Sequence, residues 1–174
     1  HMLARLSAVA FADKKYEQGR QLLADAIEED PDSAIPHLLR LTAFQDDASF
    51  TSLSAESQSE ALADLEASQK WIATHRPAWA IALAPLYWNA MISMQAGERV
   101  RSELRSAIEE ATEIEQLPPL AVLATRLSDL VLQRQVFEKA VELPLGEVNQ
   151  AEQIDALQRL LEQKFLYSDD EQYV

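Results

Sequence analysis

From Leu3 to Pro31 the apolar positions recur at helical spacing in two short runs. Leu3, Leu6, Ala10 and Phe11 make one stripe, and Tyr16, Leu22, Leu23, Ala26 and Ile27 make another. The polar run Asp13-Lys14-Lys15 separates them, and Pro31 ends the second, because proline restricts the residue ahead of it and has no N–H to carry a helix onward. A hairpin this small buries too little surface to stand alone. The pattern therefore predicts further helices packed against it.

The rest of the chain supplies them. Ser33 can cap a helix that tolerates Pro36 in its first turn and carries Leu38, Leu39, Leu41 and Phe44. Gln45 to Ser54 is short-sided and polar and reads as a loop. Leu62, Leu65 and Ile72 mark a long helix after Ser54, with Glu60, Asp64 and Glu66 on its outer face. The following stretch, Trp79 to Met94, is apolar on nearly all sides, which predicts a central buried helix. Pro85 predicts a kink or split near Ala84, and Gly97 suits the C′ position at its end. Glu98 to Gln116 is amphipathic on Val100, Leu104 and Ile108. Beyond Pro118-Pro119, one helix is expected from Leu120 to about Val141. A turn at Leu143 to Gly146, a capping pair at Asn149 and Glu152, and a last helix on Ile154, Leu157 and Leu160 follow. The expected fold is all-α: about eight helices stacked as antiparallel hairpins. His1-Met2 reads as an expression scar, residues 3–167 as one helical domain, and 168–174 as an acidic frayed tail.

Composition sharpens this reading. Glycine is scarce, with 3 residues, and no run alternates as a half-buried strand would. The net charge of −14 repels phosphate backbones and anionic lipid, so nucleic acid is an unfavourable partner. No apolar run approaches the roughly 20 residues that a spanning helix needs, so no membrane insertion is expected. The chain has no cysteine, which fits a reducing compartment, and the expected location is cytoplasmic.

Candidate chemistry is sparse. His37 and His75 have no metal-ligand spacing and read as solvated or capping residues. Gly19, Gly97 and Gly146 are isolated, so no phosphate loop is present. Glu109 and Glu113, placed on one helix face, could act as paired carboxylates, but no E-x-x-H accompanies them and a solvated face is the simpler reading. No catalytic residue, metal or cofactor is expected. The sharpest feature is aromatic: Trp71, Trp79, Tyr87 and Trp88. Tyr87 and Trp88 suit a core around Pro85, whereas Trp71 and Trp79 suit a contact with a protein partner. Arg101 and Arg105 share a face and could clamp a partner's carboxylates or pair with nearby glutamates.

Leu6, Tyr16, Gly19, Leu23, Ala26 and Pro31 carry the large–small–large–small–proline spacing of a tetratricopeptide (TPR) repeat, which this stretch resembles. Ser7 and Ala10 depart from that pattern. Two other segments, Asp30 to Phe44 and Leu83 to Leu104, resemble the middle helical domain of type VI secretion tail-assembly proteins of the TssA/ImpA type. That resemblance implies a non-enzymatic, self-associating scaffold with no inherited catalytic residue. The sequence thus points to an interaction module or assembly scaffold that binds another protein or itself. The alternative is a regulatory or sensor domain holding a peptide or small ligand in an apolar groove.

Overall fold

A computed structural model describes residues 2–144 and 150–165. Among them the chain is all-α, with no strand. Ten helices run in order: α1 (Met2–Ala12), α2 (Tyr16–Glu29), α3 (Ala34–Ala43), α4 (Asp47–Thr51), α5 (Ala55–His75), α6 (Pro77–Ser93), α7 (Gly97–Glu110), α8 (Leu117–Arg126), α9 (Leu130–Glu142) and α10 (Gln150–Phe165). A 3₁₀ turn, Ile114–Gln116, precedes α8. The expected tail at 168–174, the Asn149 cap and the Leu145-Gly146 part of the turn lie outside the described residues. The chain divides into two compact units, one up to Gly97 and one from Glu98 onward.

In the first unit α2 returns against α1, and α3, α5 and α6 pack on one another. The α1–α2 turn is a Schellman end. Lys15 N–H donates to Ala10 O and Lys14 N–H to Phe11 O, with Lys14 at a left-handed φ of 60°. The same pair of bonds closes α6 through Gln95, at φ 59°, so Gln95 and not Gly97 is the C′ residue, and Gly97 begins α7. The register of α1 differs by one position from the simple apolar stripe. Ala4, Ser7 and Ala10 are buried and Leu6 is exposed, because small side chains let α2 approach closely. A Cβ built on Gly19 of α2 would stand 2.9 Å from the Phe11 ring, which shows how tight that approach is.

Phe44 gathers the aromatic core. Its ring lies edge-on to Phe11 at 5.7 Å and to Phe50 at 6.3 Å, with Tyr16 at 6.2 Å. Phe50 belongs to α4, a short helix where the polar run suggested only a loop; the Asp46 carboxylate caps it by accepting from Ser49 N–H. Leu23, Leu41, Leu65 and Ile72 complete the buried centre. α6 stays continuous through Pro85. Its second half is buried at Trp88, Ala90 and Met91, but its first half is not, contrary to the central position its apolar sequence predicts.

In the second unit α8 packs on α9 and α10. Leu117, Leu120, Leu123, Leu132, Val136 and Leu160 are buried. The single helix expected from Leu120 to Val141 is two. A third Schellman end at Ser128, φ 51°, closes α8, and the Asp129 carboxylate caps α9 by accepting from Val131 and Leu132 N–H. Pro118 and Pro119 sit in the first turn of α8, where their missing N–H groups cost nothing.

Candidate functional site

Two places in the first unit reverse the usual distribution of polar and apolar groups. The first is a charged seam among α2, α3 and α5. Arg20 of α2 donates to Asp64 of α5 at 2.8 Å and to Glu60, and approaches Glu17 at 3.5 Å. Arg40 of α3 reaches the other Asp64 oxygen at 3.2 Å. Asp64 therefore joins three helices from a position the sequence assigns to the outer face. Burial pulls the Arg20 pKa down, but the Glu60 hydrogen bond and the charges of Asp64 and Glu17 outweigh it and leave it raised. At Arg40 burial dominates and the pKa is lowered, with Asp64 offsetting only part of it.

Beside the seam, Trp71 stacks with two histidines. The His37 ring stacks on the indole at 4.3 Å and the His75 ring at 4.4 Å. His37 is only 4 % exposed, so the solvated reading of this histidine is overturned. Its place in α3, facing α5, buries it: Nδ1 lies 3.2 Å from Ser68 Oγ, and Nε2 has no hydrogen-bond partner among the described residues. Burial, then the positive charge of Arg40, then His75, pushes its pKa down to about 4. His75 is exposed, with Nδ1 2.9 Å from Trp71 O. The two rings both stack on that indole and do not converge on a shared point. Among the described residues no group of three or more His, Cys, Asp or Glu could hold a metal.

The second place is the corner where α5 ends and α6 begins. Trp79 is 44 % exposed, Ile81 79 % and Leu86 38 %. The Arg76 guanidinium lies 6.0 Å from the Trp79 ring centre, in cation–π range. Arg76 ends α5, its N–H donating to Ile72 O, and also opens α6, whose first turn has no side-chain cap. Trp79 is thus held beside a cation at the surface, apart from the Trp71 stack.

The second unit positions the two arginines differently from each other. Arg101 of α7 donates to Asp129 at 2.7 Å, lies 3.5 Å from Leu127 O and approaches Glu98 at 3.3 Å. It ties α7 to the α8–α9 turn. Arg105 is exposed. The i, i+4 face proposed for Glu109 and Glu113 does not form. α7 stops at Glu110 because the Gln116 side chain accepts from Thr112 and Glu113 N–H, and Glu113 caps the 3₁₀ turn. An open groove of about 770 Å³ beside the α1–α2 turn is lined by Lys14, Lys15, Glu17 and Ser57 together with the apolar Tyr16, Ala48 and Leu53.

Sequence reasoning missed the buried His37 and the seam. His37 carried a weak signal, an imidazole among Leu38, Leu39 and Leu41; Arg20 and Asp64 stand 44 positions apart, and no local pattern joins them. No described helix is long and apolar enough to cross a membrane. Comparison with protein-family models, with curated proteins and with solved structures gives no significant match.

Proposed function

We propose that this chain is a non-enzymatic helical interaction module or assembly scaffold that acts by docking another protein. The carrying observation is the apolar exposure along α6, with Trp79 and Leu86 on one side of the helix and Ile81 on the other. Large apolar side chains left at a surface are an unsatisfied burial that a partner can complete, and tryptophan is prominent among residues that dominate such contacts. The TPR-like reading of α1 and α2 is supported by burial of Gly19, Leu23 and Ala26 at three of its positions, whereas Leu6, a fourth, is exposed. The more specific version, a bacterial cytoplasmic component of type VI secretion tail assembly, rests on the resemblances at Asp30–Phe44 and Leu83–Leu104. A sensor domain would call for an enclosed apolar slot, and the groove beside the α1–α2 turn is instead open, with Lys14 and Lys15 beside Tyr16 and Leu53.

The reading is tested by a photo-reactive side chain at position 81, with position 28 as an exposed control, in the cells that produce the protein. The expected result is a protein adduct specific to position 81, whose identified partner binds the purified chain but not Ile81→Asp. Equal adducts at both positions, or none, would overturn it.

A further inference from the structure

The first turn of α3 is anchored to α5 by little besides His37. Between Asp30 and His37 only Pro36 and His37 are buried, while Asp30, Pro31, Asp32 and Ile35 are exposed. Ser33 opens the helix without a side-chain cap, so the turn has no local device of its own to hold it. His37 pins it instead, through the stack on Trp71 at 4.3 Å and the contact with Ser68 Oγ at 3.2 Å. The second half of α3 is fixed separately: Arg40 reaches Asp64, and Leu41 and the C-cap residue Phe44 are buried.

The slot suits a neutral ring. Nδ1 has Ser68, but Nε2 is buried with no partner among the described residues, so the second N–H of an imidazolium would find no acceptor. Burial opposes a charge there, and so do Arg40 on the same helix and His75 on α5. Asp64, the carboxylate at the α3–α5 contact, is already shared by Arg40 and by Arg20 of α2. The other helices packed on α3 bring no acid: α1 carries one charged side chain, the exposed Arg5, and α6 has none, Tyr87 being its one titratable group. Outside the slot, Glu28, Glu29, Asp30 and Asp32 are exposed at the α2–α3 connection and favour a charged ring that has come out. We propose that His37 is an acid-released latch: when the ring takes a proton, the first turn of α3 lifts from α5 and uncovers the part of the Trp71 indole that His37 covers, while Arg40, Leu41 and Phe44 stay in place. On the interaction-module reading this adds an aromatic face offered only in acid, but the latch itself does not rest on that reading.

Amide hydrogen exchange on the full chain reads the latch through the Leu38 and Leu39 N–H groups, whose helical acceptors, the Ala34 and Ile35 carbonyls, lie in the first turn. The ring is pushed down to about 4 in the slot and returns to its ordinary 6.5 once released. After correction for intrinsic exchange, the opening equilibrium should therefore rise about twentyfold from about pH 7 to about pH 5. The opening is local, so at the lower pH Leu38 and Leu39 should exchange at least about tenfold faster than Ile72 of α5 and Met91 of α6. His37→Asn should abolish the rise. Ser68→Asp places a carboxylate beside Nδ1, stabilises the charged ring in place, and should suppress the rise as well. An equal rise in His37→Asn would overturn the proposal, as would equal protection across α3, α5 and α6 at the lower pH. If neither variant folds, titration of the His37 ring in the wild-type chain decides. A midpoint near 6.5 while Leu38 and Leu39 stay protected would mean that the slot accepts the proton and no latch exists; release of the turn as the ring takes up its proton is the expected result.

Discussion

The seam among α2, α3 and α5 and the corner where α5 meets α6 are opposite departures from the same rule. The seam places two arginines, an aspartate and a histidine inside, whereas the corner places a tryptophan and an isoleucine outside. Inside, nearly every charge meets an opposite one: Asp64 receives both Arg20 and Arg40, and Glu60 and Glu17 take the remaining reach of Arg20. Outside, the Arg76 guanidinium lies over the Trp79 ring, and Trp79, Ile81 and Leu86 stay exposed. The charges of the seam are thus matched within the fold. The corner is left open, and an open apolar surface is where a partner adds most.

Substitutions should separate the two regions by size of effect. Asp64→Ala removes the shared acceptor, taking the carboxylate from the largely buried Arg40 and leaving Arg20 only Glu60 and Glu17; urea unfolding should report a loss of about 3 kcal/mol. His37 gives a similar magnitude through pH. Above its ordinary value of 6.5 the ring is neutral folded and unfolded, so pH has no effect. Between 6.5 and about 4 the unfolded chain takes up a proton that the folded chain refuses, so stability falls as pH falls, by about 3 kcal/mol in all. The difference in slope between wild type and His37→Asn over that window isolates it, and equal slopes would place His37 in water. Arg101→Ala, which loses a partly exposed bond to Asp129, should cost about 1 kcal/mol. Gln95→Gly should raise the melting temperature slightly, by relief of about 1 kcal/mol of left-handed strain.

How much of this was legible differs by region for physical reasons. The α1–α2 hairpin is local, so spacing alone places both helices and the turn at Lys14. Its register slips by one because pattern reading rewards the large Leu6, while close packing buries the small Ser7. The break between α8 and α9 is written in Ser128-Asp129, a cap pair overlooked inside a strong apolar run. The exposure of α6 could not be read, since an apolar run looks the same whether the fold or a partner covers it. The Arg20–Asp64–Arg40 seam joins three separate helices and exists only once they pack.

The most direct test of the account is the unfolding free energy of Ile81→Asp, measured by urea denaturation against wild type. If the corner is an open face that the fold does not use, the change stays within about 0.5 kcal/mol. A loss of about 2 kcal/mol or more would mean that Ile81 is packed in the native molecule, and the docking face would not exist.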